Sequence, residues 1–270
     1  MNPEVVDFKN ECLSIADIIK DLPSQAYLTP TGFKNWTIEN ILCHLILGNQ
    51  GAVLSLQDPE AFQARFKEMR AERAAGVPNA EVERARVGDA HGEALLKQWL
   101  QSVDEIVEAF GEIDLKQRVP WAKTMSARSS VSARLMENWA HAQAIYDMLG
   151  IDRPDTDRIS SIVYLGVNTF GWTFENQGVA APGPRPAVRL STGSGTTWEF
   201  DAQEDSQDLI EGSALAFCQV VTQVRNIADT DLTVIGEVAQ TWMQQAQCFA
   251  GPPHPVPAPG TRHKKLENIE

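Results

Sequence analysis

Glu137 and His141 lie four positions apart in SARLMENWAHAQAIYDMLG, residues 132–150. On an α-helix that spacing offsets two side chains by only about 40°, so a carboxylate and an imidazole face one way. A metal ion needs that geometry, and a solvated ion pair shows it too. The neighbours form two stripes at helical spacing. Leu135, Trp139, Ala142 and Tyr146 make one; Arg134, Glu137, Asn138, His141 and Ile145 make the other. If the aromatic stripe packs inside a helical bundle, the second faces either solvent or a cleft of that bundle.

His44 adds a third group. It lies in ENILCHLILGN among Ile41, Leu45 and Leu47, and its nearest charge is Glu39. An imidazole in such surroundings requires a partner, since an unpaired buried polar group is costly. Alone it reads as a hydrogen-bonded core histidine. Joined with Glu137 and His141 it completes a two-histidine, one-glutamate set, which holds catalytic zinc and leaves a coordination position open. Bundle interiors commonly mount metals in this way. Zinc is the default for these ligands, with nickel, cobalt and iron as alternatives by ligand type. Cys43 precedes His44 directly, but adjacent helix positions point about 100° apart, which argues against its joining the set. Arg134, three positions before Glu137, would either hold that carboxylate or bind a substrate carboxylate; a surface arginine is the competing reading.

The elements that must carry these residues are mostly helices. Val5, Phe8, Cys12, Ile15, Ile19 and Leu22 alternate at spacings of three and four, an amphipathic pattern. A proline- and glycine-marked loop, PSQAYLTPTGFKNW, leads to Thr37, an N-cap for a helix carrying His44. The charged, alanine-rich stretch 59–87 reads as solvated helix broken at Gly76-Val77-Pro78, and 89–110 resumes the apolar spacing. The helix of Glu137 and His141 runs over about 129–149 and stops at Gly150. Beyond it come a helical stretch over 156–175, strands at 186–191 and 196–201 flanking a Thr-Gly-Ser-Gly turn, and helices at about 213–226 and 236–249. The fold expectation is mostly α. An up-and-down four-helix bundle over 1–155 precedes a smaller α+β domain over 156–250, and a proline-rich, disordered tail spans 251–270.

Composition narrows the partners. The hydrophobic share is 43% and the charged share 22%, as in soluble globular proteins. The formal charge of −13 disfavours nucleic acid and anionic lipid surfaces, while leaving room for a small anion in a local positive pocket. No apolar run approaches the roughly 20 residues of a membrane span. The first residues, MNPEVVDFKNE, lack an export signal, so the expected location is the cytoplasm. Scattered Cys12, Cys43, Cys218 and Cys248 read as reduced, buried thiols. No Walker loop, dinucleotide fingerprint or nucleophile elbow is present. His91, His254 and His263 read as solvated, and Trp36, Trp121 and Trp139 as core packing, with Trp121 the best placed of the three to line a pocket.

WTIENILCHL, VPWAKTMSARSSVSARLMENWAHAQAIYDMLG and GEVAQTWMQQAQCFAGPP together resemble the DinB-like superfamily, and within it the mycothiol-dependent maleylpyruvate isomerase-like branch and its metal-binding relatives. The resemblance covers about residues 5–252, and the MSxRSxxSARLMExWAH segment is its most specific part. It implies a four-helix bundle whose metal is held at the positions of His44, Glu137 and His141, with a small α+β domain beyond. It also implies an anion-binding arginine at the place of Arg225. Where the branch tends to read WAHGQD, this chain reads WAHAQA, so Ala144 stands where an acid is expected.

The function expected is therefore a divalent-metal-dependent enzyme acting on a small oxygenated or carboxylated substrate. Lewis-acid activation would serve an isomerase or a lyase, and the resemblance adds a low-molecular-weight thiol. A metal-dependent hydrolase, or a non-catalytic metal- or thiol-binding bundle, is the alternative. The chain is expected to work as a monomer or homodimer.

Overall fold

The computed structural model describes residues 1–121, 123–202 and 206–264. It divides into two compact units, Met1–Ile145 and Tyr146–Glu270. The protein is mostly α, with small sheets.

The first unit is built on α1 (Pro3–Ile19), α2 (Ile38–Gln57), α5 (Gly92–Phe110) and α6 (Ala127–Leu149), with a hairpin of shorter helices, α3 (Pro59–Ala74) and α4 (Asn79–Val87). Pro3 sits in the first turn of α1, where its missing N–H costs nothing, and Val5, Phe8, Cys12, Ile15 and Ile19 are buried along one face. A capping box starts α2: Thr37 Oγ1 accepts from Asn40 N at 3.2 Å, and Asn40 Oδ1 accepts from Thr37 N at 3.0 Å. Helix α2 buries residues on almost every side, including Ile41, Leu42, Leu45, Ile46 and Asn49, so it is the central helix of the bundle. Helix α5 buries the single stripe Leu95, Leu96, Trp99, Val103, Ile106 and Phe110.

Helix α6 is also central, with both of its stripes turned inward; Leu135, Trp139 and Ala142 are buried, and so are Arg134, Asn138 and Ile145. A short ribbon of β1 (Arg118–Val119) and β2 (Met125–Ser126) sets its start, and the chain then bonds back through Ala127 N to Gln117 O. Its end is a Schellman motif: Ile151 N bonds Tyr146 O, Gly150 N bonds Asp147 O, and Gly150 takes φ 69°. A buried polar network fixes its register. Trp99 Nε1 donates to Asn138 Oδ1 at 3.1 Å, Asn138 Nδ2 reaches Asn49 Oδ1 at 3.4 Å, and Asn49 Nδ2 donates to Ser102 Oγ at 3.1 Å. Sliding α6 by one residue would leave these groups unpaired and buried, a penalty of about 1–3 kcal/mol for each.

Helix α4 is not the solvated element that its charge suggests. Val82 and Glu83 are buried, and the helix is tied to α2 by Arg84 Nη2 on Glu39 Oε2 at 3.0 Å.

In the second unit, α7 (Ser160–Asn168) and α8 (Phe170–Asn176) replace the single helix expected over 156–175, with the break at Thr169. A four-stranded sheet runs in the order β4-β3-β5-β6, from β3 (Ala187–Ser191), β4 (Thr197–Phe200), β5 (Leu209–Ser213) and β6 (Thr233–Ile235). Strands β3 and β4 form the expected hairpin. Strand β5 pairs parallel to β3, and β6 pairs antiparallel to β5. Arg189 stands opposite both Glu199 and Glu211 and donates to each at 2.7 Å. Helix α9 (Ala214–Val221) ends sooner than the expected 226, and α10 (Glu237–Met243) sooner than 249. Phe170, Phe174, Phe217 and Trp242 share the core of this unit.

Of the tail expected over 251–270, residues 265–270 lie outside the described ones. Residues 251–264 contain no helix or strand and are tied to the unit by Asn226 Nδ2 on Pro257 O and Arg262 Nη1 on Gln223 O. No helix of the described residues is long and apolar enough to cross a membrane.

Candidate metal centre

Among the described residues, His44, Glu137 and His141 are the group that could hold a metal ion, with their ligand atoms all within 4.8 Å of one another. Glu137 Oε2 stands 3.3 Å from His44 Nε2 and 3.3 Å from His141 Nε2. A tetrahedral ion with bonds of about 2.0–2.2 Å spaces its ligand atoms by about 3.3–3.6 Å. The two histidine–glutamate spacings match that range as they stand. Cys43 stands outside this group; its buried Sγ accepts from Arg84 Nη1 at 3.4 Å, and burial pushes the thiol pKa up.

Each position has a physical reason. Glu137 and His141 share one face because they are one turn apart on α6. His44 comes from α2, which the Asn49–Asn138 contact holds in register with α6. Three further residues complete the surroundings, and the sequence reading assigned none of them to the site. Glu83 of α4 places Oε1 at 2.9 Å from His44 Nδ1, leaving Nε2 turned toward Glu137. Trp36 stacks on the His141 ring at 5.7 Å and 11°, and Phe33 meets that ring edge-on at 5.0 Å. The loop delivers both aromatics by bending through Lys34 (φ 51°) and Asn35 (φ 56°), two non-glycine residues in the left-handed region. Such backbone is uncommon and concentrates at functional sites. Trp36 is thus a wall of this cluster as well as packing, whereas Trp139 is the core residue expected.

The electrostatics follow from two carboxylates meeting one imidazole. Burial pushes the His44 pKa down, but hydrogen bonds to Glu137 and Glu83 outweigh this and raise it to about 9. Without a metal His44 is therefore an imidazolium between two acids. Burial would raise the Glu137 pKa, yet its bonds to His141 and His44 and the nearby Arg134 hold it well below the usual carboxylate range. Burial lowers the His141 pKa, so this ring is neutral at pH 7.

One turn along the same two helices lies a different arrangement. Arg134 is only 6% exposed, and among the described residues no carboxylate oxygen lies within ion-pair distance of its guanidinium. Its Cζ sits 4.8 Å from the centroid of Trp121, and its guanidinium lies against Gly48, where an added Cβ would come within 2.2 Å of Nη1. Gly51, on the next turn of α2, leaves room for Trp121 in the same way. Burial pushes the Arg134 pKa down. Arg225 belongs to the second unit, four residues beyond the end of α9, where Asp147 takes its guanidinium through both oxygens at 2.8 and 2.5 Å. Its charge is answered there.

Residues 8–146 match the family model described as the mycothiol maleylpyruvate isomerase N-terminal domain. Two uncharacterized proteins of Mycobacterium tuberculosis, from strains CDC 1551 / Oshkosh and H37Rv, are each 34% identical over 252 residues, which is 93% of this chain and 96% of theirs. Among solved structures, a crystal structure of the mycothiol-dependent maleylpyruvate isomerase aligns with TM-score 0.52 at 16% identity, covering 86% of this chain and 91% of that one. A histidine-to-alanine variant of that enzyme aligns with TM-score 0.50 over 80% of this chain and 86% of its own. These structural matches show a shared fold.

Proposed function

We propose, on the premise that this chain belongs to the family of the mycothiol maleylpyruvate isomerase N-terminal domain, that it is a metal-dependent, thiol-assisted enzyme of the isomerase type. The observation that carries this reading is the convergence of His44 Nε2, His141 Nε2 and Glu137 Oε2, each histidine 3.3 Å from the one carboxylate oxygen. His44, Glu137 and His141 would hold a divalent ion, zinc by default. Once bound, the ion would supply Lewis acidity, polarising a substrate oxygen or lowering the pKa of a thiol.

The residues around the cluster support a small anionic substrate. Arg134 would bind its carboxylate, since a buried guanidinium with no ion pair among the described residues leaves donors in a fixed fork that a carboxylate matches. Trp121 would cover one face of that guanidinium. One helical turn is about 5.4 Å, so a substrate that placed an oxygen at the cluster and a carboxylate at Arg134 would be a short chain of a few carbons. Arg225 would have to leave Asp147 before binding an anion. Phe33 and Trp36 would keep water from His141. In a thiol-assisted isomerisation, a thiolate adds across a conjugated double bond and the new single bond rotates. Expulsion of the thiolate then restores the double bond with no net redox change.

The test is direct. The purified protein is analysed for bound metal by inductively coupled plasma mass spectrometry. It is then assayed with maleylpyruvate, and with other short unsaturated keto acids, with and without mycothiol. One equivalent of metal and thiol-dependent isomerisation are expected. Metal without turnover would favour a non-catalytic binding bundle, and absence of metal at saturating zinc would sink the reading.

A further inference from the structure

We propose that Glu83 is a positioning residue for the cluster, fixing His44 with Nδ1–H toward α4 so that Nε2 is presented to the ion. This rests on the metal reading above. Glu83 lies in a stretch whose composition is that of a solvated helix, yet it is 1% exposed. Three donors converge on its one oxygen Oε1: His44 Nδ1 at 2.9 Å, Asn79 Nδ2 at 2.9 Å and Arg73 Nη2 at 3.3 Å. Its other oxygen is buried with no hydrogen-bond partner. A carboxylate that served only to dock α4 would do better with both oxygens satisfied, because a buried, unpaired acceptor costs free energy. Glu83 is instead aimed. Asn79 and Arg73 hold the carboxylate, the carboxylate holds the imidazole, and the imidazole faces Glu137.

That chain has a known chemical purpose. A histidine ligand that donates its second N–H to a carboxylate is held in one tautomer and one ring orientation and becomes a more basic ligand. The ordering acid that Ala144 does not provide after His141 is thus supplied to the other histidine, from another helix. The hairpin of α3 and α4 becomes part of the centre, because Arg73 closes one of its helices and Asn79 opens the next.

The experiment compares zinc affinity, by competition with a chromogenic chelator, in the wild type, Glu83→Ala, Glu83→Gln and His44→Ala. Histidine 15N spectra of the zinc-loaded forms and melting curves of the metal-free forms accompany it. Loss of an outer partner of this kind typically weakens binding about 10–100-fold, and Glu83→Ala should fall in that range. Glu83→Gln keeps an acceptor for Nδ1–H and loses the charge, so it should lie between Glu83→Ala and the wild type. The spectrum should show His44 as the Nδ1–H form in the wild type and in Glu83→Gln, and a shifted, broadened resonance in Glu83→Ala. If Glu83→Ala does not fold, Glu83→Gln alone decides: wild-type affinity with an unchanged spectrum overturns the proposal. A Glu83→Ala protein that melts earlier yet binds zinc as the wild type does also overturns it, leaving Glu83 as a docking residue. If the wild type and His44→Ala both fail to take up zinc, the metal reading itself falls, and this inference with it.

Discussion

Two neighbouring layers of the α2–α6 seam solve opposite electrostatic problems. In one, His44, Glu137 and His141 face one another and Glu83 backs the first histidine, so acids outnumber the one cationic ring. In the other, one turn away at Gly48, the buried Arg134 meets an aromatic face and, among the described residues, no carboxylate within ion-pair distance. By charge, the proposed ion suits the first layer and the proposed substrate carboxylate the second. Arg225 shows what a satisfied arginine looks like in this protein: half-buried, and gripped by both oxygens of Asp147. The contrast is one of partners: among the described residues Arg225 has a carboxylate in reach of its guanidinium, and Arg134, beside the cluster, has none.

Breaking the cation layer should give the largest effect. Glu137→Gln replaces the carboxylate shared by both histidines with a neutral amide, a far weaker ligand, and zinc affinity should fall by more than about 100-fold, beyond what outer partners cost. Activity should fall with it, and the metal-free protein should melt earlier at neutral pH, because protonated His44 loses one of the two acids that hold it. Chelator competition and thermal melts check this together. Retained zinc affinity would show that another set of ligands operates.

Breaking the anion layer should act on substrate and not on metal. Arg134→Gln removes a charged hydrogen-bonding partner of about 1.5–3 kcal/mol, so KM for a carboxylate substrate should rise about 10–150-fold with zinc affinity intact. Arg134→Leu should raise the melting temperature, since an unpaired buried charge is a net cost to the fold. A fall in both stability and zinc affinity would mean that Arg134 chiefly holds Glu137, and the two layers would then be one.

Titration sharpens the difference further. The raised pKa of His44, about 9, means that the metal-free site holds a proton that zinc must displace. His141 is lowered below its ordinary value and Glu137 lies far below its own, so neither adds a proton above about pH 6.5. Apparent zinc affinity should therefore rise about tenfold per pH unit from 6.5 to 9 and level off above. Calorimetry in buffers of different ionisation enthalpy should find close to one proton released per zinc in that window. The same sign governs the metal-free fold. The stability contributed by protonated His44 is complete below pH 6.5 and is lost as the pH rises through 9. A flat affinity profile between these limits would contradict the His44–Glu83–Glu137 geometry.

The parts legible in the sequence are those set by local spacing. Val5, Phe8, Cys12 and Ile15 announce α1, and the Thr-Gly-Ser-Gly turn announces the β3–β4 hairpin. The shared face of Glu137 and His141 follows from one helical turn. What escaped depends on distant partners. Strand β5 is short, and it finds β3 in parallel only after the chain has passed through β4. His44 is 93 residues from Glu137; its imidazole among apolar neighbours marks it as a candidate third ligand, but its distance from the pair is set by the packing of α2 on α6. Glu83 looks solvated because its surroundings in sequence are charged; its burial depends on α4 docking against α2. Phe33 and Trp36 reach His141 through left-handed backbone at Lys34 and Asn35, which no glycine announces.

The smallest perturbation is the most discriminating, because it should move Arg134 alone. Gly48→Ala places a methyl where Arg134 Nη1 now lies 2.2 Å from the ideal Cβ position. Inside a helix, Ala is favoured over Gly by about 0.8–1.0 kcal/mol. Overpacking costs about 1–3 kcal/mol when backbone or rigid neighbours must move. Here the obstructing atom is the far end of a flexible side chain, so the cost should fall at the low end of that range and the two terms should nearly cancel. The melting temperature should then stay within about 4 °C of the wild type, the shift that roughly 1 kcal/mol brings in a chain of this size. The guanidinium, however, cannot keep its place against Trp121. KM for a carboxylate substrate should rise a few-fold, with kcat and zinc affinity unchanged. A large drop in stability would mean that Arg134 is held rigidly and that its slot belongs to the core. An unchanged KM would separate Arg134 from substrate binding altogether.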